Sequence, residues 1–264
     1  MARPKSARQR RSTKLLALAS AAVLAFAPLA LTGPEAAAED LPVDLELVLA
    51  VDVSGSMDVD EQAVQRRGYA AALRHPDVIH AIVDGGYGRI ALTYVEWAGA
   101  ASQAMIVPWS LIDGAEAAET FAEALDTRPI SDMHGTSISG AIDYAVGLFA
   151  QNGYAGLRRT IDVSGDGPNN NGPPVTPERD AAVAAGIIIN GLPIMIRPSS
   201  VFVSLDRYYA DCVIGGPGAF VLPVNDRDQL AEAIRRKLVL EVAGKPLMRP
   251  IPVQATVPMD CLFD

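Results

Sequence analysis

Read from residue 44 onward, the chain alternates short apolar runs with segments of helical periodicity. That is the pattern of a sheet with helices packed on both faces. DLELVLAV (44–51), RIALTYVEW (89–97), QAMIVPW (103–109), RRTIDVS (158–164), IIINGLPI (187–194) and AFVLPV (219–224) read as strands. The near-continuous apolar character of the first predicts a strand buried on both sides. Only AGAA separates the second from the third, a link too short for a crossover, so these two form an antiparallel hairpin. Helices are expected from about Asp60, over 115–125, from about Thr136, over 176–186 and over 225–242. The fourth-residue recurrence is clearest in Ile138, Ala141, Ile142, Ala145, Leu148 and Phe149. Thr176 is expected to cap the 176–186 helix, with Pro177 in its first turn and Gly186 after its end, and Asn225 to cap the closing one. The sum is an α/β fold: a doubly wound, mostly parallel six-stranded sheet, with 44–51 central and 103–109 an antiparallel edge.

The first residues do not belong to that pattern. A basic stretch, MARPKSARQRRSTK, precedes the apolar LLALASAAVLAFAPLAL and the small-residue PEAAAED, the order of an export signal with cleavage expected near Ala38. Arg10 and Arg11 fit a twin-arginine signal poorly, so general secretion is the expected route. The organisation expected is therefore a signal peptide over 1–38, one domain over 39–244 and a proline-rich tail over 245–264. Losing residues 1–38 removes six basic side chains and one acidic one, taking the formal charge from −9 to −14. So acidic a chain is a poor partner for nucleic acid or anionic lipid and suits cations. No later run is long and apolar enough to span a membrane, which places the mature protein in the periplasm or outside the cell. Oligomeric state is not legible. Cys212 and Cys261 are the two cysteines; export permits a disulfide between them, and the sequence leaves open whether they pair.

Candidate chemistry sits in the loops that follow strands. AVDVSGSMD places Asp52, Ser54 and Ser56 on alternate positions past the first buried strand, Thr136 precedes a helix, and Asp166 follows TIDVS. In open α/β sheets such loops form the binding crevice at one end of the sheet. Two carboxylates and three hydroxyls, with no nitrogen or sulfur ligand, suit a hard cation; the low charge favours Mg²⁺ or Mn²⁺ over Ca²⁺. Asp58, Asp60 and Glu61 are read as a helix start and not as ligands. Asp162, inside an apolar strand, is read as a buried acid with a basic partner. His134 is read as a solvated loop histidine, and Asn169, Asn170 and Asn171 as turn formers.

DVSGSM, then GTS, then SGDG resembles the metal-ion-dependent adhesion site of von Willebrand factor A domains, a Rossmann-like fold, with the D-x-S-x-S motif on Asp52, Ser54 and Ser56, the loop threonine on Thr136 and the later aspartate on Asp166. The whole chain is also similar to an uncharacterised group of exported bacterial proteins of this fold. The resemblance implies a non-enzymatic binding module whose metal takes an acidic side chain from a protein partner. It departs from the family at the third motif, where T-D-G is replaced by Ser164, Gly165, Asp166 and Gly167, an insertion that bears on the reach of Asp166. The alternative is an exported hydrolase using the same cation; it lacks a G-x-S-x-G or H-E-x-x-H motif. Glu96 and Trp97, at the end of a strand, are candidate rim residues of the site.

Overall fold

The structure, a computed structural model, describes residues 39–197, 204–244 and 259–262. The expected signal segment, and the tail apart from 259–262, lie outside the described residues. In chain order the elements are β1 (Leu41–Val43), β2 (Glu46–Asp52), α1 (Val59–Leu73), α2 (Pro76–Val83), β3 (Ile90–Trp97), β4 (Gln103–Ile112), α3 (Ala115–Thr127), α4 (Ile138–Leu148), β5 (Tyr154–Gly156), β6 (Arg159–Gly165), α5 (Val175–Ala184), β7 (Ile187–Pro193), α6 (Leu205–Tyr208) and α7 (Leu230–Ala243). The main sheet has the order β4-β3-β2-β6-β7, parallel except for β4, which runs antiparallel to β3. A small parallel pair, β1 with β5, stands apart from it.

Successive side chains of β2 point to opposite faces, and both faces are covered. Leu47, Leu49 and Val51 join one core with Tyr69, Leu73, Phe121, Leu125, Ile234 and Leu238, beneath α1, α3 and α7. Val48 and Ala50 join the other with Ile138, Ile142, Val163, Tyr208 and Cys212, beneath α4 and the residues after α6. Burial on both sides is why the run is apolar throughout. β2 is central, and strand order reverses beside it: the chain winds outward through β3 and β4, then returns to β6 on its other flank.

The sheet has five strands where six are expected. AFVLPV makes only isolated bridges along β7, Gly191 with Val221 and Ile194 with Val224. Pro223 carries no N–H for a continuous ladder. The helix starts also move. Asp58 caps α1 in a reciprocal box with Glu61, as a helix start demands. α5 begins one residue early, at Val175, with Pro174 before it, so Thr176 is not its cap. Asp226, not Asn225, accepts from Asp228 N to open the 3₁₀ turn ahead of α7.

A buried polar cluster lies under the sheet. Lys237 Nζ lies 2.5 Å from Asp162 Oδ1 and 2.5 Å from Glu241 Oε1. Asn190 Nδ2 donates to the same Glu241 oxygen at 3.2 Å. Burial, then the Asp162 charge, pushes Glu241 up to about 7 against the pull of Lys237. Asp162 is likewise raised by burial, with Lys237 opposing. Cys212 and Cys261 are joined by a disulfide that ties residues 259–262 to the short π-helical turn Tyr209–Val213.

Candidate metal centre

The carboxyl ends of β2, β3, β6 and β7 face the same way, and the loops at that end carry every residue of the candidate site. Asp52 is the last residue of β2, and Asp166 directly follows β6, the neighbouring strand across the reversal in strand order. A crevice opens at such a point because the connections on its two sides diverge.

The D-x-S-x-S loop is shaped by its own side chains. Ser54 N donates to Asp52 Oδ1 at 2.7 Å, and Met57 N to Ser54 O at 3.1 Å. These bonds turn the chain sharply enough to bring Ser54 Oγ within 2.9 Å of Ser56 Oγ. Ser56 Oγ then donates to Asp166 Oδ1 at 2.6 Å. Ser54, Ser56 and Asp166 thus form one hydrogen-bonded chain of oxygens, to which Asp52 is joined through the Ser54 N–H.

The inserted glycine leaves Asp166 in reach because Gly165 is the last residue of β6, and lengthens the strand instead of displacing the loop. Only glycine fits there: a Cβ at position 165 would stand 2.8 Å from Asp52 Oδ2 and 2.9 Å from the Tyr209 hydroxyl. Thr136, 5% exposed, stands beside the turn that follows, since a Cβ on Gly167 would meet its Cγ2 at 3.8 Å. Gly135 precedes it at φ +86°, a left-handed conformation that glycine adopts without strain.

Burial of Asp52 pushes its carboxyl up to about 7, the Asp166 charge adds to the rise, and the Ser54 hydrogen bonds oppose it. Asp166 is also raised by burial, with the Ser56 hydroxyl opposing. Asp52 Oδ2 is buried and accepts no hydrogen bond. An orphaned carboxylate oxygen, beside a second carboxylate and three hydroxyls, is a donor set that fits a hard divalent cation, whose charge would offset both the burial and the repulsion.

Several contacts were not legible in the sequence. The three asparagines cross-link the site loops. Asn170 Oδ1 accepts from Thr136 N at 3.2 Å, while Asn170 N and Asn171 N both donate to Thr136 O, at 2.9 and 3.1 Å. Asn171 Oδ1 accepts from Ala100 N at 2.8 Å, and Asn169 Oδ1 from Ser139 N at 3.0 Å. Arg197, soon after β7, donates to Ser56 O at 3.3 Å and pairs with Asp58 and Glu61. His134 lies over the first loop, its Nδ1 being 3.6 Å from where a Gly55 Cβ would stand.

Glu96 and Trp97 do not rim the site, contrary to expectation. Glu96 is 1% exposed, pairs with buried Arg66 and accepts from Ser131 N at 2.9 Å, so it fixes the segment before Thr136 from below. Trp97 is fully buried in the α4-side core.

The architecture and the order of these loops define a von Willebrand A fold, and comparison with solved structures agrees. Proximal thread matrix protein 1 from the mussel byssus superposes with a TM-score of 0.57 at 14% identity, covering 78% of this chain and 49% of that one. Another structure of the same protein has a zinc-occupied MIDAS motif. The pilus adhesin SpaC from Lactobacillus rhamnosus GG gives 0.55 at 12% identity, over 77% and 31% of the chains. The von Willebrand factor type A protein from Catenulispora acidiphila gives 0.54 at 16% identity, over 76% and 43%. The chain spans less than half the length of each, and at these identities the likeness shows the fold alone. No curated protein matches. The family model described as "Protein of unknown function (DUF1194)" matches residues 42–246, and the chain belongs to that family.

Proposed function

We propose that this protein is an exported binding module that engages a protein partner through a divalent cation, Mg²⁺ or Mn²⁺, held by Asp52, Ser54, Ser56, Thr136 and Asp166. The observation that carries this reading is the unpartnered Asp52 Oδ2 at the end of the central strand, next to a chain of oxygens that joins two separate loops through Ser54, Ser56 and Asp166. A cation bound there supplies an electrophilic coordination position for an anionic oxygen from outside. The residues of the chain do the rest: Ser54 and Ser56 present neutral oxygens, so the site keeps net attraction for an acidic side chain, and the asparagine bonds hold Thr136 against the Asp166 loop. The likeness to an adhesin and a matrix protein in fold supports a binding role.

Export and periplasmic or extracellular location belong to the same proposal, with residues 1–38 as the signal, 39–244 as the binding domain and 245–264 as the tail. Among the described residues no helix is long and apolar enough to cross a membrane. Mass spectrometry of the exported form should find an N-terminus near residue 39; an intact Met1 in the membrane fraction would defeat the export assignment.

Titration calorimetry should show one Mn²⁺ or Mg²⁺ bound per chain, with affinity lost in Asp52→Ala and weakened in Ser54→Ala, Ser56→Ala and Thr136→Ala, all four remaining folded. Protons compete for Asp52, so affinity should climb as pH is raised towards about 7 and level off above it. A partner captured from envelope extract should be released by chelator. Partner affinity undiminished both by chelator and by Asp52→Ala would overturn the mechanism. A hydrolase using the same cation would turn over phosphate esters in its presence. Partner capture without any such turnover separates the two readings.

A further inference from the structure

Beneath the site stands a group that the binding reading does not use. Tyr209 opens the π-helical turn that follows α6, and is fully buried. Its ring lies against β7 at Gly191, where a Cβ would come within 2.6 Å of Tyr209 Cδ1. Its hydroxyl lies against β6 at Gly165. Glycines on two adjacent strands thus open a passage through which the ring reaches the underside of β2. A phenylalanine would fill that passage equally well. The added hydroxyl is buried with no hydrogen-bond partner, which costs about 1–3 kcal/mol unless something compensates.

The compensating atom is close by. Tyr209 OH and Asp52 Oδ2 both lie within 3 Å of the single point that a Gly165 Cβ would occupy. One is a buried donor without an acceptor, the other a buried acceptor without a donor. The two oxygens of Asp52 are unequal: Oδ1 already takes the Ser54 N–H, and only Oδ2 is free. The neighbouring tyrosine serves the same loops, since the Tyr208 hydroxyl accepts from Asn169 N at 3.3 Å. The turn itself is fastened by Cys212, three residues on, through its disulfide to Cys261. Single π-helical turns are frequent at functional sites.

We infer that Tyr209 is a positioning residue of the metal centre: in the cation-bound site its O–H donates to one lone pair of Asp52 Oδ2 and leaves the other for the cation, and so fixes the orientation in which Asp52 faces it. The inference rests on the metal-binding reading above. Outer-shell hydrogen bonds of this kind are worth roughly 10- to 100-fold in metal affinity.

The test is the variant Tyr209→Phe, which keeps the ring and removes only the hydroxyl. Mn²⁺ titration should show a dissociation constant raised by roughly tenfold or more. In chelator its melting temperature should equal or exceed that of wild type, because an unsatisfied hydroxyl has been removed, and the upward shift that Mn²⁺ produces should shrink. A purely packing role predicts that Tyr209→Phe, which keeps the ring, leaves both the melting temperature in chelator and the Mn²⁺ affinity close to those of wild type, and an unchanged affinity would overturn the inference. If the wild type itself binds no Mn²⁺, it is the metal-binding reading that fails; wild-type binding with an unaltered constant in Tyr209→Phe removes Tyr209 alone. Tyr209→Leu, which shortens the side chain and opens a cavity, should lose stability in chelator as well, and so shows what a packing defect looks like in the same assay.

Discussion

Lys237→Met is expected to destabilise the domain by about 3–5 kcal/mol, the loss typical when one partner of a buried ion pair is removed and its counter-charge stays behind. Two acids are left here, Asp162 and Glu241, both within 2.5 Å of the ammonium and neither with access to water. For a domain of this size that corresponds to a fall of roughly 6–20 °C in melting temperature. Both acids are held above their ordinary range by burial. A carboxyl raised in the folded state keeps a proton that the unfolded chain releases, so its stabilising share is present at low pH and is lost as pH rises through the folded value. In the variant a proton has to replace the ammonium, and the loss should therefore be smaller at pH 5 than at pH 8. Urea unfolding at the two pH values checks this; an equal loss at both would mean that the acids are solvated and the cluster is not closed.

Reduction of the Cys212–Cys261 disulfide is expected to cost about 4 kcal/mol, because the bridge closes a loop of 49 residues whose freedom is otherwise available to the unfolded chain. The melting temperature should fall by roughly 8–16 °C in reductant. Alkylation without reductant should leave the mass unchanged. A melting curve indifferent to reductant would show that residues 259–262 contribute nothing to the folded domain.

How much of this could be read in advance depended on the range of the forces involved. β2 was legible because burial on both faces leaves a near-continuous apolar run, β3 and β6 because their shorter apolar runs stop at loop and turn residues, and the loops carrying Asp52, Thr136 and Asp166 were legible because they follow or precede such elements. What failed was decided by partners far away in the chain. Glu96 resembles a surface acid at the end of a strand until Arg66, on α1, is packed against it. The asparagine run has the composition of a turn, and its bonds to Thr136 and Ala100 join residues 34 and 71 positions apart. The break between α1 and α2 was not read from the sequence; Pro76 occupies the first turn of α2, with His75 as its cap. AFVLPV has the apolarity of a strand because it is pressed against β7, but apolarity carries no information about a hydrogen-bond ladder.

That last segment has a consequence for the chain among its neighbours. An open sheet has two flanks on which a foreign strand could add, and both are blunted here. Along β7 the 215–224 segment takes up main-chain groups at Ile189, Gly191 and Ile194 without itself offering a regular strand. On the other flank, β4 contains Pro108, which lacks an N–H, and shifts its register against β3 on either side of Tyr94. Interrupted flanks of this kind are how β-sheet proteins resist edge-to-edge aggregation. The domain can in this way keep a wide sheet under the loops of its candidate site without that sheet acting as a template for fibrils.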